Sequence, residues 1–107
     1  MADALFVLTT VADRAAATAL ARALLERRLA ACVNVGAPVQ SLYHWRGRIE
    51  TGEEIPPTIK TRASLYRQVE ATIRELHSYE LPEIVAVPIT DGYAPYIGWL
   101  HDETTAP

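Results

Sequence analysis

The first third of the chain changes from a strand pattern of apolar residues to a helical one. Residues 5–11 (LFVLTTV) form a continuous apolar and β-branched run, which is typical of a strand covered on both faces. Asp13 then offers a good helix N-cap, and alanine and leucine recur behind it at helical spacing. The pattern therefore predicts a strand followed by a helix that ends near Leu29.

The middle of the chain carries the pattern of two long strands joined by a tight turn. A strand is predicted over residues 31–35, is interrupted by Gly-Ala-Pro, and resumes over residues 39–45. Arg46-Gly47 predicts a hairpin turn, because the glycine can adopt a positive φ. The return strand is predicted to begin at residue 48 and to continue to residue 61.

The last third of the chain predicts a helix, a strand and a short helix. Apolar residues at helical spacing mark residues 64–76, and the helix is expected to stop at His77-Ser78. A last full strand follows over residues 83–89, and a short terminal helix over residues 93–100. Residues 103–107 are expected to be loose.

The order of these elements predicts an α+β fold with one domain over residues 1–107. Right-handed crossovers around a central hairpin give the ferredoxin-like βαββαβ sandwich, with the helices on one face of an antiparallel sheet and a short helix at the C-terminus. The other face of the sheet would lack a cover, and the hairpin strands are longer than usual. Both features predict a homo-oligomer.

Composition narrows the class of protein without identifying it. Half of the 107 residues are hydrophobic and 21% are charged, which excludes a disordered chain. The net charge of −3 is spread along the sequence, so neither a nucleic-acid-binding surface nor a basic membrane-surface helix is expected. The single cysteine, Cys32, cannot form an internal disulfide, and no apolar stretch approaches a membrane span. We therefore expect a soluble protein in a reducing compartment.

Five blocks of sequence stand out together in a fixed order. They are residues 29–34 (LAACVN), 41–47 (SLYHWRG), 59–61 (IKT), 77–84 (HSYELPEI) and 96–100 (YIGWL). In order and spacing they closely resemble the CutA divalent-cation tolerance proteins. The resemblance covers the chain from about Leu5 to Leu100.

This resemblance implies a tight homotrimer of ferredoxin-like subunits in which the long hairpin strands pair across subunits. It also implies a cytoplasmic protein linked to copper and other divalent metal ions, with no established reaction. Such proteins share their architecture with the PII-type signalling trimers, which bind small effectors in clefts between subunits. A shared fold is only an analogy for function.

The metal ligands that some family members use are incompletely represented in this chain. Those members bind copper through a cysteine on the first strand and two adjacent histidines after the second helix. Here the cysteine position is Thr9 and the histidine pair is Leu76-His77, so His77 alone remains as a candidate ligand. The alternative interpretation is that His77 is a structural histidine at the end of a helix.

Four further residues of the family blocks are candidates for an intersubunit cleft: Cys32, Lys60, Tyr79 and Glu83. Lys60 and Glu83 could form an ion pair that lines such a cleft or that fixes the register of the subunits. Cys32 is expected in a buried strand, where a free cysteine usually serves as a small apolar residue. Its functional and structural interpretations both stay open.

Tyr43 and Trp45 alternate on one face of the predicted hairpin and are expected to anchor the trimer interface. The same hairpin contains a departure from the family pattern at Pro56-Pro57, where family members usually carry an aliphatic run. Two prolines remove two donors from the hydrogen-bond ladder of the sheet. We therefore expect the return strand to bulge or break there.

Three functions remain compatible with the sequence. The first is a trimeric protein that binds or responds to copper and other divalent ions. The second is a PII-like, non-catalytic module that binds a small anionic ligand at intersubunit clefts through Lys60. The third is a structural scaffold. An enzyme is not expected, because no phosphate loop, nucleophile elbow or paired catalytic spacing is present.

Overall fold

The computed structural model describes residues 3–104. In chain order the elements are β1 (Ala4–Leu8), α1 (Arg14–Glu26), β2 (Cys32–Val35), β3 (Val39–Trp45), β4 (Arg48–Glu54), β5 (Pro57–Arg62), α2 (Tyr66–Leu76), β6 (Val85–Pro88) and α3 (Ala94–Glu103). A 3₁₀ turn, Ala63–Leu65, leads into α2. The predicted series of elements is confirmed, with each long hairpin strand divided into two.

Four of the strands form one antiparallel sheet in the order β2-β5-β1-β6. Val7 of β1 lies opposite Ile59 of β5 and Ala86 of β6, and Val33 of β2 lies opposite Ile59. β3 and β4 pair separately as the hairpin. This strand order is that of the predicted ferredoxin-like sheet. The crossover through α1 joins β1 to β2, and the crossover through α2 joins β5 to β6, and in neither case are the two strands neighbours in the sheet.

The hydrophobic core lies between one face of this sheet and the helices α1 and α2. Val7 and Ile59 from the sheet, Leu24 from α1, and Val69 and Ile73 from α2 are all completely buried. Side chains alternate between the two faces of a strand, so every second residue of β1 and β5 points into this core.

The opposite face of the sheet is open in the single chain. Phe6 on β1 is 36% exposed, and Val85 and Val87 on β6 are each 45% exposed. The expectation that residues 5–11 form a strand covered on both faces is therefore wrong for one chain, and β1 ends at Leu8. α1 and α2 cover one face, and α3 covers only part of the other near Lys60, so the remaining apolar residues of that face have no cover within the chain.

α1 begins as predicted and ends earlier. The Asp13 carboxylate accepts a hydrogen bond of 2.8 Å from the Ala16 amide, which confirms Asp13 as the N-cap. The helix ends at Glu26 rather than near Leu29, because Arg28 adopts a left-handed φ of 60° and turns the chain toward β2.

The hairpin projects from the body of the molecule, whose extents are 45 × 26 × 23 Å. Arg46 and Gly47 have φ values of 51° and 80°, and left-handed residues at both turn positions match the twist of the paired strands. Leu42 and Ile49 in the hairpin are 64% and 72% exposed. The predicted tight turn is confirmed, and little of the hairpin is covered by its own chain.

The return strand breaks at the prolines, as expected. β4 ends at Glu54, and Ile55 makes an isolated two-bond bridge to Val11 with N–O distances of 2.9 Å. Pro56 belongs to no strand, and its carbonyl accepts a hydrogen bond from the Gly36 amide. Pro57 becomes the first residue of β5, a position where a strand tolerates a missing donor.

α3 extends beyond its predicted end at residue 100 to Glu103, whose carboxylate lies 2.7 Å from the Arg28 guanidinium. Thr104 is buried, and its hydroxyl donates to the Leu100 carbonyl. The expectation of a loose segment is therefore wrong for residues 103 and 104, and residues 105–107 lie outside the described part. Within that part, no helix is long and apolar enough to cross a membrane.

Candidate functional site

A groove of about 770 Å³ lies between the β3–β4 hairpin and residues 77–83, the segment that follows α2. Tyr43 and Trp45 contribute from β3, and Tyr79 and Glu83 contribute from the segment. The volume lies within the range of small-molecule sites in proteins. This groove is the candidate functional site of the single chain.

An ion pair holds the segment against the tip of the hairpin. The Arg46 guanidinium lies 2.7 Å from the Glu80 carboxylate, and it also lies 5.1 Å from the centre of the Trp45 ring. Both charged side chains are more than two-thirds exposed, so the pair contributes little to stability. The pair spans the two walls of the groove, since Glu80 and Trp45 both line it.

His77 fixes the start of the segment through both ring nitrogens. Its Nδ1 accepts a 3.1 Å hydrogen bond from the Tyr79 amide, so Nε2 carries the proton and donates to the Thr10 carbonyl at 2.7 Å. The ring also contacts the Tyr79 ring, with 4.6 Å between their centres. These contacts agree with the structural interpretation of His77. A metal bound at either nitrogen would displace one of the two hydrogen bonds.

Glu54, the last residue of β4, brings a partly buried carboxylate into the groove. Burial by itself raises the pKa of this carboxyl, but hydrogen bonding by the hydroxyls of Ser41, Tyr79 and Thr10 outweighs it. With the nearby His77, these groups leave the pKa below its ordinary value of 4.5. Glu54 is therefore ionised at neutral pH.

The same contacts act in the opposite direction on Tyr79. Burial raises the pKa of its phenol to about 12, with a further contribution from the hydrogen bond to Glu54 and from that carboxylate's charge. Tyr79 therefore stays protonated at neutral pH and can act as a hydrogen-bond donor.

Replacing Glu54 with glutamine is expected to make stability less dependent on pH in the acidic range. Because folding lowers the pKa of Glu54, its contribution is present above its unfolded-state pKa and is lost as the pH falls through the folded-state pKa. Urea unfolding between pH 7 and pH 3 should show wild type losing stability on acidification more steeply than Glu54→Gln. The exposed neighbour Glu53→Gln controls for removal of one carboxylate; identical slopes for the two variants would contradict the prediction.

The four residues that were predicted to line an intersubunit cleft lie in two separate places in the single chain. Tyr79 and Glu83 line the groove, whereas Cys32 and Lys60 lie opposite each other on β2 and β5. Lys60 is also opposite Phe6, so this pair belongs to the open face of the sheet. No ion pair joins Lys60 to Glu83 within residues 3–104.

Aromatic rings surround Lys60 on that open face. Its ammonium lies 6.0 Å from the centres of the Phe6 and Tyr96 rings, and Tyr96 in turn lies 5.5 Å from Trp99. Cys32 is partly exposed rather than buried as predicted, because β2 is the edge strand of the sheet.

The described part of one chain does not bring three ligands for a divalent metal ion together. No group of three histidine, cysteine or carboxylate side chains suited to a metal occurs among residues 3–104. Thr9 is buried, and its hydroxyl has no hydrogen-bond partner there, but a hydroxyl is a poor ligand for copper. His77 already uses both nitrogens. The residues of a single chain therefore do not fit a closed metal site.

Sequence reasoning missed Glu54, Thr10 and Ser41 as members of the site. The register of the hairpin was the signal that could have identified Glu54. Glu54 lies opposite Val39, so its side chain is on the same face of the hairpin as Ser41, Tyr43 and Trp45. That register follows from the two-residue turn at Arg46-Gly47. Thr10 gave no such signal, since it lies beyond β1 and its neighbour Val11 reaches the end of the hairpin only through the bridge to Ile55.

The family model for the CutA1 divalent ion tolerance protein matches residues 5–103. The "Divalent-cation tolerance protein CutA" of Thermus thermophilus is 39% identical over 98 residues, which cover 92% of this chain and 95% of that protein. "Protein CutA" of Mus musculus is 40% identical over 89% of this chain, but the chain spans only 54% of the mouse protein's length. The crystal structure of CutA1 from Shewanella sp. SIB1 superposes with a TM-score of 0.95 at 37% identity and covers 98% of both chains.

Proposed function

Because this chain belongs to the CutA1 divalent ion tolerance protein family, we propose that it supports tolerance of divalent cations by binding or responding to them, copper among them. The observation that carries the proposal is the family match, which extends from β1 to the last residue of α3. The proposed role is binding rather than catalysis, and the proposed location is the cytoplasm.

His77 is the residue that we propose to test as a copper ligand. Imidazole is a preferred ligand of copper, and His77 helps to lower the pKa of the nearby Glu54, whose ionised carboxylate is the second donor that we propose. Further donors would have to come from another copy of the chain, since one chain lacks a group of three among its described residues. The Tyr79 amide would lose its acceptor when Nδ1 binds the metal.

Titration of chelator-treated protein with Cu(II) by calorimetry is the direct test. We expect saturable binding at a fixed ratio per chain, lost in His77→Ala and retained in His44→Ala, which removes an exposed hairpin imidazole. Equal binding by wild type and His77→Ala would remove His77 from the proposal. Absence of saturable binding by the wild type would contradict direct copper binding by this chain.

The assembly that we propose is a homotrimer, with Tyr43 and Trp45 at the interface. Two features support an assembly: the apolar open face of the sheet, and a hairpin whose Leu42 and Ile49 are largely exposed. In such an assembly Cys32 and Lys60 of one copy would meet Tyr79 and Glu83 of the next copy. The intersubunit cleft and the Lys60–Glu83 ion pair remain part of this proposal.

A second candidate function is a non-catalytic module of PII-like character that binds a small ligand. The observation that favours it is the groove of about 770 Å³, whose walls combine aromatic rings with polar side chains. Lys60 lies outside this groove in the single chain, so an anionic ligand would depend on Lys60 of another copy.

A further inference from the structure

The loop between β6 and α3 is fixed at both ends and free in between. At its start, the Ile89 amide donates a 2.9 Å hydrogen bond to the first residue of β1. At its end, the Tyr93 carbonyl accepts hydrogen bonds of 2.9 and 3.0 Å from the Tyr96 and Ile97 amides in the first turn of α3. Residues 90–92 lie between these points and belong to no helix or strand.

Asp91-Gly92, in the middle of this loop, combines exposure with a main chain that nothing restrains. Both residues are exposed. Within residues 3–104, no hydrogen bond or ion pair holds the Asp91 carboxylate or the Gly92 amide. Because Gly92 has no side chain, its nitrogen is unshielded and the main chain around it rotates with little steric cost. The nitrogen can therefore approach the carboxyl carbon of the preceding residue.

Two other aspartates of the described chain lack this freedom. The Asp13 carboxylate is held by its 2.8 Å hydrogen bond from the Ala16 amide. Asp102 lies inside α3, where the helix fixes the main-chain dihedral angles. Each of them precedes a larger residue, and Asp91 is the only aspartate in the sequence that precedes a glycine.

We infer that Asp91-Gly92 is a site of spontaneous covalent modification, at which aspartate converts to isoaspartate. The Gly92 nitrogen attacks the side-chain carboxyl carbon of Asp91. A carbon–nitrogen bond forms and closes a five-membered succinimide ring, and the carboxyl hydroxyl leaves with the amide proton as water. Water then opens the ring at either of its two carbonyl carbons.

Opening at the main-chain carbonyl gives the isoaspartate. The bond between that carbonyl and the Gly92 nitrogen breaks, so Gly92 stays joined to the former side-chain carbon of Asp91. The main chain then runs through Cβ, and the former main-chain carbonyl becomes a free carboxylate. One water leaves and one water enters, so the mass is unchanged and the reaction needs no oxidant, reductant or enzyme.

The conversion lengthens the main chain by one carbon at a point where the loop contacts α3. Gly92 lies so near Ile97 that a Cβ added to the glycine would come within 2.7 Å of the isoleucine side chain. Since the loop is fixed at both ends, the added length has to be accommodated in the loop or in the first turn of α3. We therefore expect isomerisation to weaken the hydrogen bonds from the Tyr96 and Ile97 amides to Tyr93.

The test is peptide mapping of the intact protein after incubation for several weeks at neutral pH and physiological temperature. Trypsin releases residues 75–107 as one peptide, because no lysine or arginine follows Arg74. Its isoaspartate form has the same mass, separates by chromatography, and resists a protease that cleaves before aspartate. We expect isoaspartate at Asp91 to accumulate at least about tenfold faster than at Asp102 of the same peptide or at Asp13.

Asp91→Glu is the matched variant. It keeps the negative charge and Gly92, but attack by the glycine nitrogen would have to close a six-membered ring, which forms far more slowly. We expect no isomerised product at position 91 in this variant. In the incubated wild type, hydrogen exchange at the Tyr96 and Ile97 amides should become faster in proportion to the isomerised fraction, and it should stay unchanged in the variant.

The isolated peptide of residues 75–107 provides the reference rate for an unrestrained chain. If Asp91 isomerises in this peptide and not in the intact protein, the folded loop prevents the attack and the inference is overturned. Equal rates at Asp91 and Asp102 would overturn it as well, because the loop would then have no special reactivity. Unchanged exchange at Tyr96 and Ile97 in the isomerised protein would refute the expected effect on α3.

Discussion

Replacing Tyr43 and Trp45 together by alanine is expected to convert the proposed trimer into single chains. Tyr43 is 47% exposed, and it shares one face of β3 with Trp45 on a hairpin that its own chain covers poorly. Tyrosine and tryptophan at the centre of an interface typically lose about 2 kcal/mol or more each when truncated. Two such losses at each of the three interfaces of a closed ring amount to about 12 kcal/mol or more per trimer, so dissociation at micromolar concentration is the expected result.

Sedimentation equilibrium measures this directly. The wild type should show three times the chain mass of 11.8 kDa, and the double variant should show 11.8 kDa with an unchanged far-ultraviolet circular dichroism spectrum. Tyr93→Ala is the control, since Tyr93 is 77% exposed and precedes α3 rather than lying on the hairpin. A wild type of single-chain mass would refute the trimer, and a double variant that stays trimeric would move the interface to the open face of the sheet.

Ile59→Ala is expected to lower the free energy of unfolding by about 2–5 kcal/mol, the usual cost of removing a large aliphatic side chain from a closed core. Ile59 is completely buried on β5, and it lies between Val7 of β1 and Val33 of β2. It packs in the same cluster as Leu24 of α1 and Ile73 of α2. Its removal leaves a cavity at the centre of the sheet.

The measurement is urea unfolding in the Tyr43→Ala/Trp45→Ala background, where unfolding is not coupled to dissociation. Ile49→Ala makes the same chemical change at a hairpin position that is 72% exposed, and it should alter stability by less than about 0.5 kcal/mol. A loss at Ile59 no larger than the loss at Ile49 would contradict the core described above.

Much of the fold could be predicted because its signals are local. The Asp13 cap, the Arg46-Gly47 turn and the apolar face of α2 each depend on residues within a few positions of one another. The break before β5 followed from the missing donors of Pro56 and Pro57. The errors fell at helix ends: the left-handed φ of Arg28 ends α1 earlier than its apolar pattern suggests, and α3 continues to Glu103, whose carboxylate pairs with the distant Arg28.

The candidate site was predictable only in part. The family blocks identified Tyr79, Glu83, Tyr43 and Trp45, all of which line the groove. They also predicted Cys32 and Lys60 in one intersubunit cleft with Tyr79 and Glu83, and in a single chain Cys32 and Lys60 lie apart from these two, on the open face of the sheet. Residue type and order along the chain indicate which side chains are suited to binding. They do not indicate on which face of the sheet each side chain lies, or whether its neighbours belong to the same copy of the chain.

The sequence by itself determined the elements, their order and the composition of the core, because periodicities of 2 and 3.6 residues follow from backbone geometry alone. Only the tertiary structure decided that both nitrogens of His77 are engaged and that Glu54 stays ionised beside Tyr79. Thr10 and His77 are 67 positions apart. Their contact depends on how the helices, the sheet and the hairpin pack together. No pattern of neighbouring residues predicts a contact between two residues so far apart in the sequence.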